Sequence, residues 1–225
     1  GVYKLQGRYG EAEPLYLKAL EIRKAKLGDR HPDTAISLNN LALLYDSQGR
    51  YDEAEPLYLE DLEISKAELG DRHPFTATSL NNLAGLYYSQ GRYGEAEPLY
   101  LDALEIRKAE LGDRHPDIAT SLNNLAELYR SQGRYGEAEP LYLDALDIRK
   151  AELGDRHPST ANSLLNLATL YHDTQQHQRA LKLMQQALDI YVPVLGTDHP
   201  STQNAIGWRK TIQQALQPTH FTEGN

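Results

Sequence analysis

Residues 31–58 read "HPDTAISLNNLALLYDSQGRYDEAEPLY". Leu38, Leu41, Ala42 and Tyr45 stand 3, 1 and 3 residues apart, the spacing of one helical face. This predicts a helix over 34–47, here called helix A. Pro32 suits its start, where a missing N–H costs nothing. Gly49 follows, the residue best able to take the left-handed conformation that ends a helix. Ala54, Leu57, Tyr58, Asp61, Leu62 and Ile64 continue with helical spacing, so a second helix, helix B, is expected over 52–69, closed by Gly70. Pro56 lies inside it and should loosen or bend its first turn.

The stretch repeats. "GRY" occurs at 7, 49, 91 and 133, and "HP" at 31, 73, 115, 157 and 199, both with a period of 42 residues. Such periodicity marks an all-α array of stacked helix pairs. The expected organisation is one array over 1–217: a half repeat at 2–28, full repeats at 29–70, 71–112, 113–154 and 155–196, and a capping helix at 200–216. Residues 218–225 form a tail. Residues 2–6 align with the end of a helix A, so the first helix B lacks its partner and should fray or pack on another molecule. In the last helix Arg209, Lys210 and Gln213 replace Leu41, Ala42 and Tyr45. A polar outer face of this kind caps a solenoid. Gly1 at the start points to a fragment.

Ala42, Tyr45, Gly49, Ala54 and Tyr58 have the order and spacing that resemble the tetratricopeptide repeat, over roughly residues 3–216. The usual unit of that family has about 34 residues. The additional ones here lengthen helix B and its following loop, which looks most like the repeats of kinesin light chains and their bacterial relatives. The resemblance implies an alpha-alpha superhelix of antiparallel pairs whose helices A line a concave, peptide-binding groove with Asn prominent. Kinesin light chains take short peptides combining an acidic residue with Trp. A groove for such peptides needs Lys or Arg, whereas the corresponding face here offers Arg130 against Asp46, Glu127 and Asp173. The expected partner is therefore an unspecified peptide or protein segment.

The chain of 225 residues is 40% hydrophobic and 24% charged, ordinary for a folded protein, with a net charge of −9. That balance, with no basic run, argues against a nucleic-acid or anionic-membrane binder. No apolar stretch approaches the roughly 20 residues of a membrane span, and no charged-then-apolar leader is present, so the expected location is the cytoplasm. There is no Cys, which removes disulfide and thiolate chemistry. "DRH" at 29–31 recurs with one His per repeat. Packed helices stand about 8–10 Å apart, against metal–ligand distances of about 2 Å, so these histidines cannot converge on a metal. They are expected to stack or cap beside Pro32. Carboxylates such as Glu53 and Glu55 read as a solvated face. No nucleophile elbow or phosphate-binding loop occurs. No cofactor, metal or enzymatic activity is expected.

On a wheel of about 100° per residue, positions 36, 39, 40, 43, 46 and 47 lie opposite Leu38, Leu41 and Tyr45. Across the repeats position 36 runs Ile36, Thr78, Thr120, Asn162; position 43 runs Leu43, Gly85, Glu127, Thr169; position 46 runs Asp46, Tyr88, Arg130, His172. A fixed core beneath a changing face is the pattern of a groove with individual pockets on a common scaffold, and equally of drift on an unconstrained surface; the groove is the expectation. Asn40, Asn82, Asn124 and Asn166 form one column and Asn39, Asn81 and Asn123 a second, ended by Leu165. An amide both donates and accepts, so the columns are expected to grip a ligand's backbone, to bond one another from repeat to repeat, or both. With Leu165 the groove should turn more apolar toward its C-terminal end. Trp208, in the column of Asn40, is an aromatic anchor or part of the cap. Asp61 replaces Ala at a packed position and is expected to reach solvent. Phe75 replaces Asp33 and Asp117 and adds exposed apolar surface. Gln175 and His177 replace Gly and Tyr, so that turn should differ. An alternative function is a self-association module stacking through the exposed N-terminal helix.

Overall fold

The computed structural model describes residues 9–216. Residues 2–6, read as the stub of a helix A, and the tail from 218 lie outside them. Among the described residues there are ten helices and no strand. By internal contacts the chain divides into two compact units, residues 1–113 and 114–225.

The first unit contains α1 (Tyr9–Leu27), α2 (Pro32–Ser47), α3 (Tyr51–Leu69), α4 (Pro74–Ser89) and α5 (Tyr93–Leu111). The second contains α6 (Pro116–Ser131), α7 (Tyr135–Leu153), α8 (Pro158–Asp173), α9 (His177–Leu195) and α10 (Pro200–Ala215). Odd-numbered helices of the first unit are helices B; in the second unit the even-numbered helices are A and the odd-numbered B. Within each unit every helix packs on its chain neighbours, and successive helices A also touch, as α2 does α4 and α8 does α10.

The core follows the apolar period. Leu38, Leu41, Ala42 and Tyr45 are buried on α2, and Ala54 and Tyr58 meet them from α3. Helix A starts two residues before the sequence-based boundary, because Pro32 is itself helical and His31 caps the end. His31 Nδ1 accepts the Asp33 N–H at 3.1 Å, and His73, His115, His157 and His199 do the same for Phe75, Asp117, Ser159 and Ser201. The recurrent His is thus a helix cap that satisfies a donor left over in the first turn. Helix α3 runs unbroken through Pro56; its first turn is already closed by Glu53 and Ala54 N–H groups donating to Arg50 O.

Between helix A and helix B the chain turns through a residue of positive φ, 72° at Gly49. Gln175 holds the same place at φ 61°, and α9 begins at His177 just as α3 begins at Tyr51. Contrary to expectation, the turn is kept, with a side chain in a conformation that costs L-residues about 1–2 kcal/mol.

The turn Arg does a further job. Arg50 lies 4.0 Å from the Tyr45 ring and donates to Glu13 at 2.8 Å and Glu53 at 2.7 Å. Arg92 lies over Tyr87 at 4.0 Å and reaches Glu55 at 2.7 Å and Glu95 at 2.8 Å. Glu13 and Glu55 thus belong to ion pairs that tie a helix B to the turn of the next helix pair, so Glu55 is not part of a free solvated face, whereas Glu53 stays exposed and pairs with Arg50 of its own turn. Arg50, by its hydrogen bond, holds Glu13 below the usual carboxylate range. In the last full repeat Gln176 replaces the turn Arg, and Arg179 supplies the cation instead, 4.0 Å from the Tyr171 ring.

Candidate functional site

The face opposite the helix-A core is polar, partly open and internally bonded. In the first unit Asn82 Nδ2 donates to Asn39 Oδ1 at 2.9 Å, and Asn81 Nδ2 to Asn82 Oδ1 at 3.5 Å. In the second unit Asn166 Nδ2 donates to Asn123 Oδ1 at 3.2 Å. The two columns thus bond diagonally: an amide of one column donates to the other column of the preceding repeat. Asn123 is drawn inward, 5% exposed, and donates to Ala119 O at 2.8 Å and Ser163 Oγ at 3.4 Å. Asn40 and Asn124 are half-buried on the same face.

This diagonal accounts for the irregular fourth copy. Leu165 stands where an acceptor amide stands elsewhere, and Trp208 where the amide donating to it would come from. With no donor, an Asn at 165 would hold a half-buried amide lacking its partner, which is costly. Donor and acceptor are lost together. Trp208 instead meets His172 edge to face, ring centroids 5.8 Å apart, and His172 Nδ1 lies 3.2 Å from His177 Nδ1.

The variable positions divide. Arg130 is held by Glu127 and, from α8, Asp173, while Glu127 accepts the Tyr142 hydroxyl at 2.7 Å. The cation expected to face a ligand is thus neutralised within its own unit. Asn162 is exposed and accepts the Tyr191 hydroxyl. Leu43, Asp46 and Tyr88 are half-buried, Tyr88 tilted against Tyr93 at 5.7 Å.

Sequence reasoning missed one feature. Asp61 does not reach solvent: it is 3% exposed. Its Oδ1 accepts a long bond from Ser65 Oγ at 3.4 Å, the Ser79 hydroxyl also acts on the carboxyl, and Oδ2 is buried with no partner. Burial raises its pKa from 3.8 to about 6. Beside it is a pocket of about 90 Å³, with Asp61, Ser65 and Ser79 at its buried end and Ile36, Asn39, Phe75 and Thr78 nearer the surface. Phe75 is half-exposed and stacks on His73 at 5.5 Å. The signal was there to be found: Asp61, Ser65 and Phe75 each depart from the other repeats.

No group of His, Cys, Asp or Glu suited to a metal occurs among the described residues, and none of their helices is long and apolar enough to cross a membrane.

The stacked pairs with a His-capped helix A, a Gly or Gln turn and an Arg-braced helix B are a tetratricopeptide solenoid. The tetratricopeptide repeat model matches residues 1–67, 47–109, 75–151, 117–192 and 159–208, and the chain belongs to that family. Its repeats are of the kinesin light chain type. The crystal structure of a putative kinesin light chain with nearly identical repeats from Podosopora anserina is 30% identical, with a TM-score of 0.66, covering 83% of this chain and 93% of that one. The chain is also similar to BtubC (BKLC) from P. vanneervenii at 24% identity and a TM-score of 0.75, covering 94% of this chain and 84% of that one; this likeness is one of fold. A comparison with curated proteins found no match. Folds of this family are generally non-catalytic scaffolds for protein interaction.

Proposed function

We propose that the chain is a scaffold that holds a peptide or protein segment against the helix-A face, as a cytoplasmic adaptor or sensor part of a larger protein. One observation carries the reading. Beneath that face Leu38, Ala42 and their copies repeat unchanged and buried, while on it Asp46, Tyr88, Arg130 and His172 occupy equivalent, partly exposed positions with four different chemistries. A scaffold needs the first and a selective surface the second.

The bonded asparagines support a division of labour. Their ladder keeps successive helices A in register, and their remaining donors and acceptors face a ligand's backbone. Selection then falls to Tyr88, His172 and their neighbours. Because Arg130 is already paired, an acidic ligand of the kinesin light chain kind finds no unspent charge at that position. The reading requires no catalytic step, cofactor or metal.

Selection of a random peptide library on the 225-residue chain, repeated with Tyr88→Ala, tests the proposal. It expects enriched peptides whose order of preference changes in the variant. An unchanged order refutes the assignment of selectivity to this face. A second reading, self-association through α1, is favoured by the exposure of Leu15, Leu17, Ile22 and Leu27. Light scattering over a concentration range separates the two, since only self-association makes the mass rise with concentration.

A further inference from the structure

The pocket beside Asp61 is the place where three other repeats put a cation of their own, buried at Arg107 and Arg149 and half-buried at Arg23. Position 65 of the repeat is Arg23, Arg107 and Arg149 in three other repeats and Tyr191 in the last full one. Arg23 donates to Ser37 Oγ at 2.7 Å and to Asp33 O at 3.1 Å. Arg149 donates to Ser163 Oγ at 2.8 Å and to Ser159 O at 3.2 Å. Each guanidinium thus inserts between a helix B and the next helix A, taking one Ser hydroxyl and one first-turn carbonyl. Between α3 and α4 those acceptors remain, Ser79 Oγ and Phe75 O, but Ser65 replaces the Arg. The slot is vacated.

The second substitution reverses its charge. Position 61 is Ala19, Ala103, Ala145 and Ala187 in the other repeats, and Asp61 puts a carboxylate one helical turn from Ser65. Its Oδ2 is buried without a partner, at a cost no solvated Asp would carry. The third, Phe75 in place of Asp or Ser, sets an exposed ring at the outer end of the same pocket. Loss of a resident cation, gain of an unpaired anion and gain of an exposed aromatic coincide in one cavity, which has room for a planar cationic head group.

The geometry points to a site that receives from a bound peptide or protein segment the arginine side chain its own repeat lacks. The guanidinium would pair in two-pronged fashion with the Asp61 carboxylate, with Ser79 Oγ and Phe75 O as further acceptors, and the aliphatic stem would lie against Phe75 and Ile36. The assignment rests on the peptide-binding reading above and names the chemistry of one residue of the ligand. Lysine fits less well, being a point charge that cannot satisfy both carboxylate oxygens side by side.

The test uses the 225-residue chain and three probes: Nα-acetyl-arginine methylamide, its citrulline counterpart, and a library-selected peptide with each of its basic residues replaced in turn by citrulline. Asp61→Ala with Ser65→Arg restores the pair found in other repeats, so that variant folds while filling the slot. The arginine probe is expected to shift the amide resonances of Ser65, Ser79 and Phe75, the citrulline probe not. One citrulline replacement, or the double variant, should weaken the peptide by about tenfold or more, the value of a charge-assisted hydrogen bond. Equal response to arginine and citrulline overturns the proposal. If peptides bind but ignore both citrulline and the double variant, the pocket assignment falls and the peptide-binding face stands. If the arginine probe seats at Asp61 while no peptide is enriched, the cation site stands and a peptide as its source falls.

Discussion

Replacing Asp61 by Ala should stabilise the protein, and by an amount that grows with pH. The carboxyl has its folded pKa raised from 3.8 to about 6, chiefly by burial, with the Ser79 and Ser65 hydroxyls acting weakly against it. No charged side chain lines its pocket from α2 or α4, and on its own helix the ionisable neighbour is Tyr58, raised above its usual value chiefly by burial. An acid with a raised folded pKa holds its proton more tightly in the native state, so its contribution to stability falls as pH rises from 3.8 through 6. At about 1.36 kcal/mol per pKa unit the full penalty above that window is about 3 kcal/mol. Asp61→Ala removes it, so the gap between variant and parent should open by about 2 kcal/mol between pH 4 and pH 8. Urea unfolding followed by circular dichroism at several pH values, read as the difference between the two proteins, measures it. A gap that stays constant with pH, or a parent more stable than the variant at pH 8, refutes the claim that an ionised carboxylate is buried there.

Leu165→Asn alone and Trp208→Asn alone should each destabilise the protein, whereas the pair recreates a donor–acceptor step of the ladder; a double-mutant cycle should return a favourable coupling of about 0.5–1.5 kcal/mol. Additive effects would show that their joint departure from Asn is coincidence. Asn82→Ala should cost about 1–3 kcal/mol by leaving Asn39 Oδ1 without its donor, seen as a lower urea midpoint; an unchanged midpoint would mean the ladder contributes nothing to the array. Gln175→Gly should stabilise the protein by about 1 kcal/mol by relieving a left-handed backbone, seen as a higher urea midpoint, and no gain would mean that the Gln side chain offsets the strain.

The architecture was largely legible because it is local. Leu38, Leu41, Ala42 and Tyr45 announce a helical face through spacing alone, and a strict 42-residue period places every copy. Even the exposure of Phe75 could be read from its position near a helix start. What escaped depends on register between helices distant in sequence. A wheel shows that Asn39 and Asn82 share a side of their helices, but not that one donates to the other across the repeat. Glu55 looks solvated until Arg92, 37 residues away, is set beside it. Asp61 was misjudged because a charge at a packed Ala position suggests an escape to water. Its meaning lies one turn further on, where Ser65 has replaced an arginine and left space. Gln175 kept its turn because the helices on either side fix the chain's path and override local preference.

The central claim, that the helix-A face binds a peptide segment and that Asp61 receives its arginine, is tested most directly by peptide-library selection run in parallel on the parent chain and on Asp61→Ala/Ser65→Arg. Enrichment of arginine-containing peptides by the parent, lost or redirected in the variant while its fold persists, is the expected result. Enrichment of the same peptides by both proteins, or of none by either, would contradict it.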